Sequence, residues 1–160
     1  MAIFIRCGVA IAAALLAFGA AGLASAGPLE QLPGRWSGWG EIIMENGKSE
    51  RVKCIATYTN QGGGSDLRHS MRCASPNYKV DAVAELKVTG QRVSGEWNER
   101  IWSNTGAISG TVSHNGIIAH IVGQSFEANL NVETGACKQV LAINPKGMGV
   151  RRIRVNLAKC

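Results

Sequence analysis

Glu99 is the side chain whose position most invites a chemical role. It closes the run Arg92–Glu99, where Val93, Gly95 and Trp97 alternate with Arg92, Ser94, Glu96 and Asn98. A period of two sends alternate residues to opposite faces of a strand, so Glu99 shares the apolar face with Trp97. An acid there is either a ligand-binding group inside an apolar lumen or a strand-end residue reaching solvent or an arginine. Gln139 also points inward by the same rule; its amide either orients a polar ligand group or satisfies core backbone. His69 faces Tyr58 across a strand pair. A catalytic histidine needs a nucleophile and an orienting group, and no Ser or Asp is placed to serve it, which leaves a structural histidine as the simpler reading. His114 and His120 are scattered, and no Cys-x-x-Cys or His/Cys cluster occurs. No catalytic constellation, metal site or cofactor is therefore expected.

The elements that must carry these residues are strands. After Pro33 the chain shows ten period-two segments, beginning near Arg35, Glu50, Leu67, Tyr78, Arg92, Gly106, Ile117, Ser125, Ala136 and Val150. Between them stand Asn46-Gly47, Gly62-Gly63-Gly64, Thr89-Gly90, Asn115-Gly116, Thr134-Gly135 and Pro145-Lys146-Gly147, residue types that tight turns require. A hairpin centred on Thr89-Gly90 sets Leu86 against Val93, Ala82 against Trp97 and Val80 against Glu99. One centred on Thr134-Gly135 sets Leu130 against Gln139 and Val132 against Cys137. One centred on Gly63-Gly64 sets Tyr58 against His69, Ala56 against Met71 and Cys54 against Cys73. Directly opposed residues lie close enough for a disulfide, so this last register predicts Cys54–Cys73. Cys137 and Cys160 remain as a second pair. Between Ile117 and Val122 both faces are apolar, and inside cannot be told from outside.

Export is the context for those cysteines. Arg6, the uncharged run Val9–Leu23 and Ala24-Ser25-Ala26 have the order of a cleavable secretory leader, so residues 1–26 are expected to be removed before Gly27. Residues 27–160 then form a single β-barrel domain with no transmembrane segment, located in the periplasm or secreted. The formal charge of +6 falls by one when Arg6 leaves with the leader. Neither export nor the absence of a Lys/Arg run interleaved with aromatics fits nucleic acid. Arg151, Arg152 and Arg154 make a basic last strand that either holds anions or is simply solvated.

Short connections imply that sequence neighbours pair in space, as an antiparallel meander. Ten strands that close leave no exposed edge, so the expected fold is all-β, an up-and-down barrel with an apolar lumen. A two-sheet β-sandwich is the alternative.

Gly34-Arg35-Trp36, opening the first strand of a barrel that ends on an arginine-bearing strand, resembles the calycins, the lipocalin and avidin type of barrel. That resemblance implies that Trp36 packs at the closed end beneath an arginine of the last strand, with Arg154 among the candidates. The chain also resembles an uncharacterised family of small exported bacterial proteins. The resemblance runs through Cys54-Ile55-Ala56-Thr57-Tyr58, Arg72-Cys73-Ala74-Ser75, Ser94-Gly95-Glu96-Trp97-Asn98-Glu99 and Phe126-Glu127-Ala128-Asn129-Leu130-Asn131-Val132. It implies no particular activity.

Together these features describe an exported, monomeric, non-enzymatic binding module holding a small, largely apolar ligand. Glu99, Gln139, Trp97, Tyr58 and His69 are its candidate ligand residues. The alternative is an interaction protein, such as a protease inhibitor or a binder of an anionic surface, protein or envelope polymer.

Overall fold

The computed structural model describes residues 27–62 and 65–160; the expected leader lies outside the described residues. The chain forms ten strands: β1 (Gly34–Met44), β2 (Ser49–Gln61), β3 (Asp66–Ala74), β4 (Lys79–Thr89) and β5 (Arg92–Glu99) come first. They are followed by β6 (Asn104–Ser113), β7 (Gly116–Gly123), β8 (Glu127–Thr134), β9 (Lys138–Lys146) and β10 (Val150–Ala158). Each pairs antiparallel with its sequence neighbours, and β1 pairs with β10 to close the barrel. The sandwich alternative is thereby replaced by closure, which satisfies both outer edges of the meander.

Alternation decides what fills the interior. Trp36, Val52, Cys54, Ala56, Val93 and Val155 are almost wholly buried, while their sequence neighbours face out. The connections after β2, β4, β6 and β8 gather at one end with residues 27–33. The connections after β1, β3, β5, β7 and β9 form the other end, called the mouth below.

The first end is plugged. The Trp36 indole N–H donates to Leu32 O (2.8 Å), and both side chains are fully buried. Lys159 Nζ lies 4.6 Å from the Trp36 ring centroid and donates to Gln31 O at 2.7 Å. The cation against Trp36 is thus Lys159, and Arg154 is exposed on the outer wall. Strand parity explains this: Val155 and Leu157 point inward, Lys159 continues their row, and Arg154 belongs to the opposite one.

The Cys54/Cys73 register is as expected, with Ala56 opposite Met71 and Tyr58 opposite His69. Disulfides link Cys54 to Cys73 and Cys137 to Cys160. Two other hairpins slip. Ala82 opposes Glu99, Ala84 opposes Trp97 and Val88 opposes Val93, because Gly90 takes the left-handed conformation (φ 61°) as the first residue of a Gly90-Gln91 loop. Val132 opposes Leu141 and Thr134 opposes Gln139; residues 135–138 form the turn, closed by Gly135 N–H donating to Lys138 O. Both slips are even-numbered, so every side chain keeps its face.

Candidate functional site

An open cavity of about 490 Å³ occupies the mouth half of the barrel, within the range of small-molecule sites. His69 and Met71 form its floor. Trp97, Phe126, Ile121, Leu141 and Ile153 are in its walls, and Tyr78, Lys79, Trp102 and Met148 stand at its rim.

Trp97 lies flat along one wall because two glycines make room. A Cβ on Gly106 would fall 2.7 Å from Trp97 Nε1, and one on Gly123 would fall 3.1 Å from Trp97 Cζ2. With those side chains absent, the indole N–H reaches Val122 O (3.3 Å) and the ring meets Phe126 at 5.5 Å between centroids. The glycines thus place an aromatic plate beside the lumen without filling it.

Glu99 is buried at the mouth end of β5 and lines the cavity. Its two oxygens are occupied by the backbone: Oε1 accepts from the N–H of Asp81 (3.0 Å) and Ile101 (3.2 Å), and Oε2 from Trp102 (2.7 Å). Such charge-assisted bonds are how a buried carboxylate becomes tolerable. Here they build the β5–β6 turn. Ser103 in that turn has φ 54°, an uncommon conformation for a non-glycine. Trp102 is held outward, 68% exposed.

Gln139 lies near the plugged end, away from Glu99, so the two inward polar residues do not share a site. It is buried in a chain of hydrogen bonds: Tyr58 O–H donates to Gln139 Oε1 (3.2 Å), and Gln139 Nε2 donates to Thr134 Oγ1 (3.1 Å). Burial pushes the Tyr58 phenol well above its ordinary pKa, the Gln139 bond opposing this, so the hydroxyl stays protonated.

His69 caps that chain from the lumen side, its ring stacked on Tyr58 at 4.3 Å and 17°. By area the ring is only partly buried, its open part facing the cavity, yet Nε2 is enclosed and has no hydrogen-bond partner among the described residues. Desolvation lowers its pKa to about 4, so the imidazole is neutral near pH 7.

Of the five candidate ligand residues, Glu99, Trp97 and His69 meet at the cavity, while Tyr58 and Gln139 lie beneath its floor. Trp102, Met148 and Lys79 join the rim without having been singled out in the sequence. Trp102 and Met148 sit in turns, where alternation carries no signal. His120 is on the outer wall, between Asn129 and Glu127. Among the described residues, no group of three or more His, Cys, Asp or Glu is arranged to hold a metal, and no helix is long and apolar enough to cross a membrane.

No protein-family model matches the chain, and no curated protein does. Among solved structures it is similar to the S-type phycobiliprotein lyase of Guillardia theta, with a TM-score of 0.62 and 11% identity over 82% of this chain and 89% of that one. At that identity the likeness is one of fold, and it agrees with a closed, calycin-like β-barrel.

Proposed function

We propose that the protein binds a small, largely apolar ligand in the barrel lumen, entering through the mouth. The observation that carries this is the 490 Å³ cavity with aromatic and aliphatic walls, left open where large core side chains could have filled it. His69 at the floor and Lys79 at the rim are the polar points available to orient a ligand. A binding role is favoured over a catalytic one because Glu99, the acid at the cavity, is committed to three backbone donors. The similar structure is a phycobiliprotein lyase, and at 11% identity that likeness carries the fold and not the activity.

Within the same reading the mature chain starts at Gly27, acts in the periplasm or after secretion, and belongs with the small exported bacterial proteins it resembles. Two disulfides support the oxidising compartment. N-terminal sequencing of the native protein checks the start; intact Met1 in a membrane fraction would overturn it. Native mass spectrometry of protein purified from its own compartment tests the ligand, with a non-covalent adduct expected. Fluorescence titration with anilinonaphthalene sulfonate supplies a second arm. Saturable binding is expected in the wild type and its loss in Ala82→Phe, which fills the lumen. No adduct and no saturable binding would sink the proposal.

A further inference from the structure

The outer surface of the barrel is electrically lopsided. β6, β7 and β8 contain no lysine or arginine, and β8 carries Glu127 and Glu133. On the other side, β10, β1 and β2 are adjacent and expose Arg35, Arg51, Lys53, Arg152 and Arg154, with Glu41 as the one acid on that outward face. Among the described residues none of these five cations enters an ion pair. Arg51 and Arg154 flank Glu41 from opposite neighbouring strands, about 10 Å apart from the inter-strand spacing.

At the centre of this wall lies an exposed aromatic. Trp39 is 47% exposed. The Arg51 guanidinium stacks 4.2 Å from the ring centroid and Lys53 Nζ lies at 5.9 Å. A shallow groove of about 330 Å³ runs beside it, lined by Trp39, Glu41, Arg51, Arg154 and Asn156. An arginine held by cation–π contact is pre-oriented, which reduces the ordering cost of binding an anion.

We propose that this wall is a second binding site, separate from the lumen, for an acidic polysaccharide. Three features select that chemistry. The cations, none of them in an ion pair among the described residues, call for repeated anionic groups. From Arg35 to the level of Arg51 and Arg154 they extend about 20 Å along the wall at the rise of a strand, longer than one sugar ring. The indole offers an apolar face to the C–H face of a sugar. Glu41 and Asn156 sit among the cations as partners for hydroxyl groups; a bare polyphosphate has no donor for Glu41 and would be repelled by it. A bilayer fits less well, because among the described residues Trp39 is the only large apolar side chain exposed in this groove, whereas Trp102, Ile101 and Met148 are exposed at the mouth.

The test is affinity electrophoresis and calorimetry of the mature, disulfide-bonded protein with alginate, polygalacturonate and dextran sulfate. Neutral dextran, inorganic polyphosphate and phosphatidylglycerol vesicles are the comparison ligands. Binding to at least one acidic polysaccharide is expected, with none to neutral dextran and weaker binding to polyphosphate. Arg51→Ser and Arg154→Ser should each weaken it about tenfold, as for loss of a charge-assisted contact. Trp39→Ala should abolish the preference over polyphosphate. Lys87→Ser with Arg92→Ser removes two charges from the β4–β5 hairpin, as many as Arg51→Ser combined with Arg154→Ser removes from the wall, and should leave binding unchanged. Near-UV circular dichroism confirms that each variant is folded. No binding to any acidic polysaccharide, equal loss from both double charge removals, or binding to vesicles alone would overturn the proposal. Lumen binding of anilinonaphthalene sulfonate should be the same in all these variants, so the two sites fail or stand independently.

Discussion

Replacing Glu99 by alanine separates a turn-building acid from a ligand-binding one. In the native protein its carboxylate accepts three backbone N–H bonds, from Asp81, Ile101 and Trp102. Hydrogen bonds to a charged group contribute roughly 1.5–3 kcal/mol each. Ile101 and Trp102 are exposed, so water can replace the acid at their amides, and removing the acid also removes its own desolvation cost. The net loss expected for Glu99→Ala is about 3 kcal/mol, or a fall in Tm of roughly 10 °C. Glu99→Gln keeps an acceptor oxygen and should cost about half as much. Urea unfolding of the oxidised protein measures both, while anilinonaphthalene sulfonate reports on the lumen. A stability of Glu99→Ala within ~0.5 kcal/mol of wild type, the range of an ordinary surface change, would refute the turn-building role. Unchanged stability together with lost lumen binding would instead assign Glu99 to the ligand.

His69 should make stability pH-dependent. Its folded pKa is depressed to about 4, so its contribution is complete above the unfolded value near 6.5 and is lost as pH falls toward 4. Between pH 7.5 and 4.5 the wild type should lose about 2.5 kcal/mol more than His69→Leu in urea titrations; equal losses would contradict the depressed value. Gln139→Ala should cost about 2–4 kcal/mol by stranding the Tyr58 and Thr134 hydroxyls, yet leave lumen binding intact. Weakened lumen binding would reconnect the two ends of the barrel. Opening Cys54–Cys73 by a double alanine change should cost about 3 kcal/mol. Partial reduction followed by peptide mapping should free the exposed Cys137–Cys160 pair first, and the reverse order would count against a weaker terminal staple.

Much of the barrel was legible in the sequence because side-chain direction in a strand depends only on parity. Alternation located ten strands to within about two residues and put Trp97, Glu99 and Gln139 inside, while the calycin resemblance put Trp36 at the closed end. Gly62, Gly63 and Gly64 set the one register that a disulfide checks, Cys54 against Cys73. Parity is silent about slips of two or four residues, since these move no side chain to another face. That is why the Thr89-Gly90 and Thr134-Gly135 hairpins settle elsewhere, decided by which residue takes the left-handed turn conformation and how many the turn contains.

Tertiary structure decided what depends on closure. Pairing of β1 with β10 defines an inside, and only then do Ile117, Ala119 and Ile121 face the core while Ile118 and Val122 face out. Closure also gives the barrel two different ends. Glu99 falls at the mouth and Gln139 at the plug, although a strand pattern treats them alike. Lys159, beyond the last strand, reaches Trp36 because β10 ends at the end of the barrel where β1 begins. The cavity itself is a matter of volume: Gly106 and Gly123 draw Trp97 against the wall, and no period or motif records how much space remains once that wall is packed.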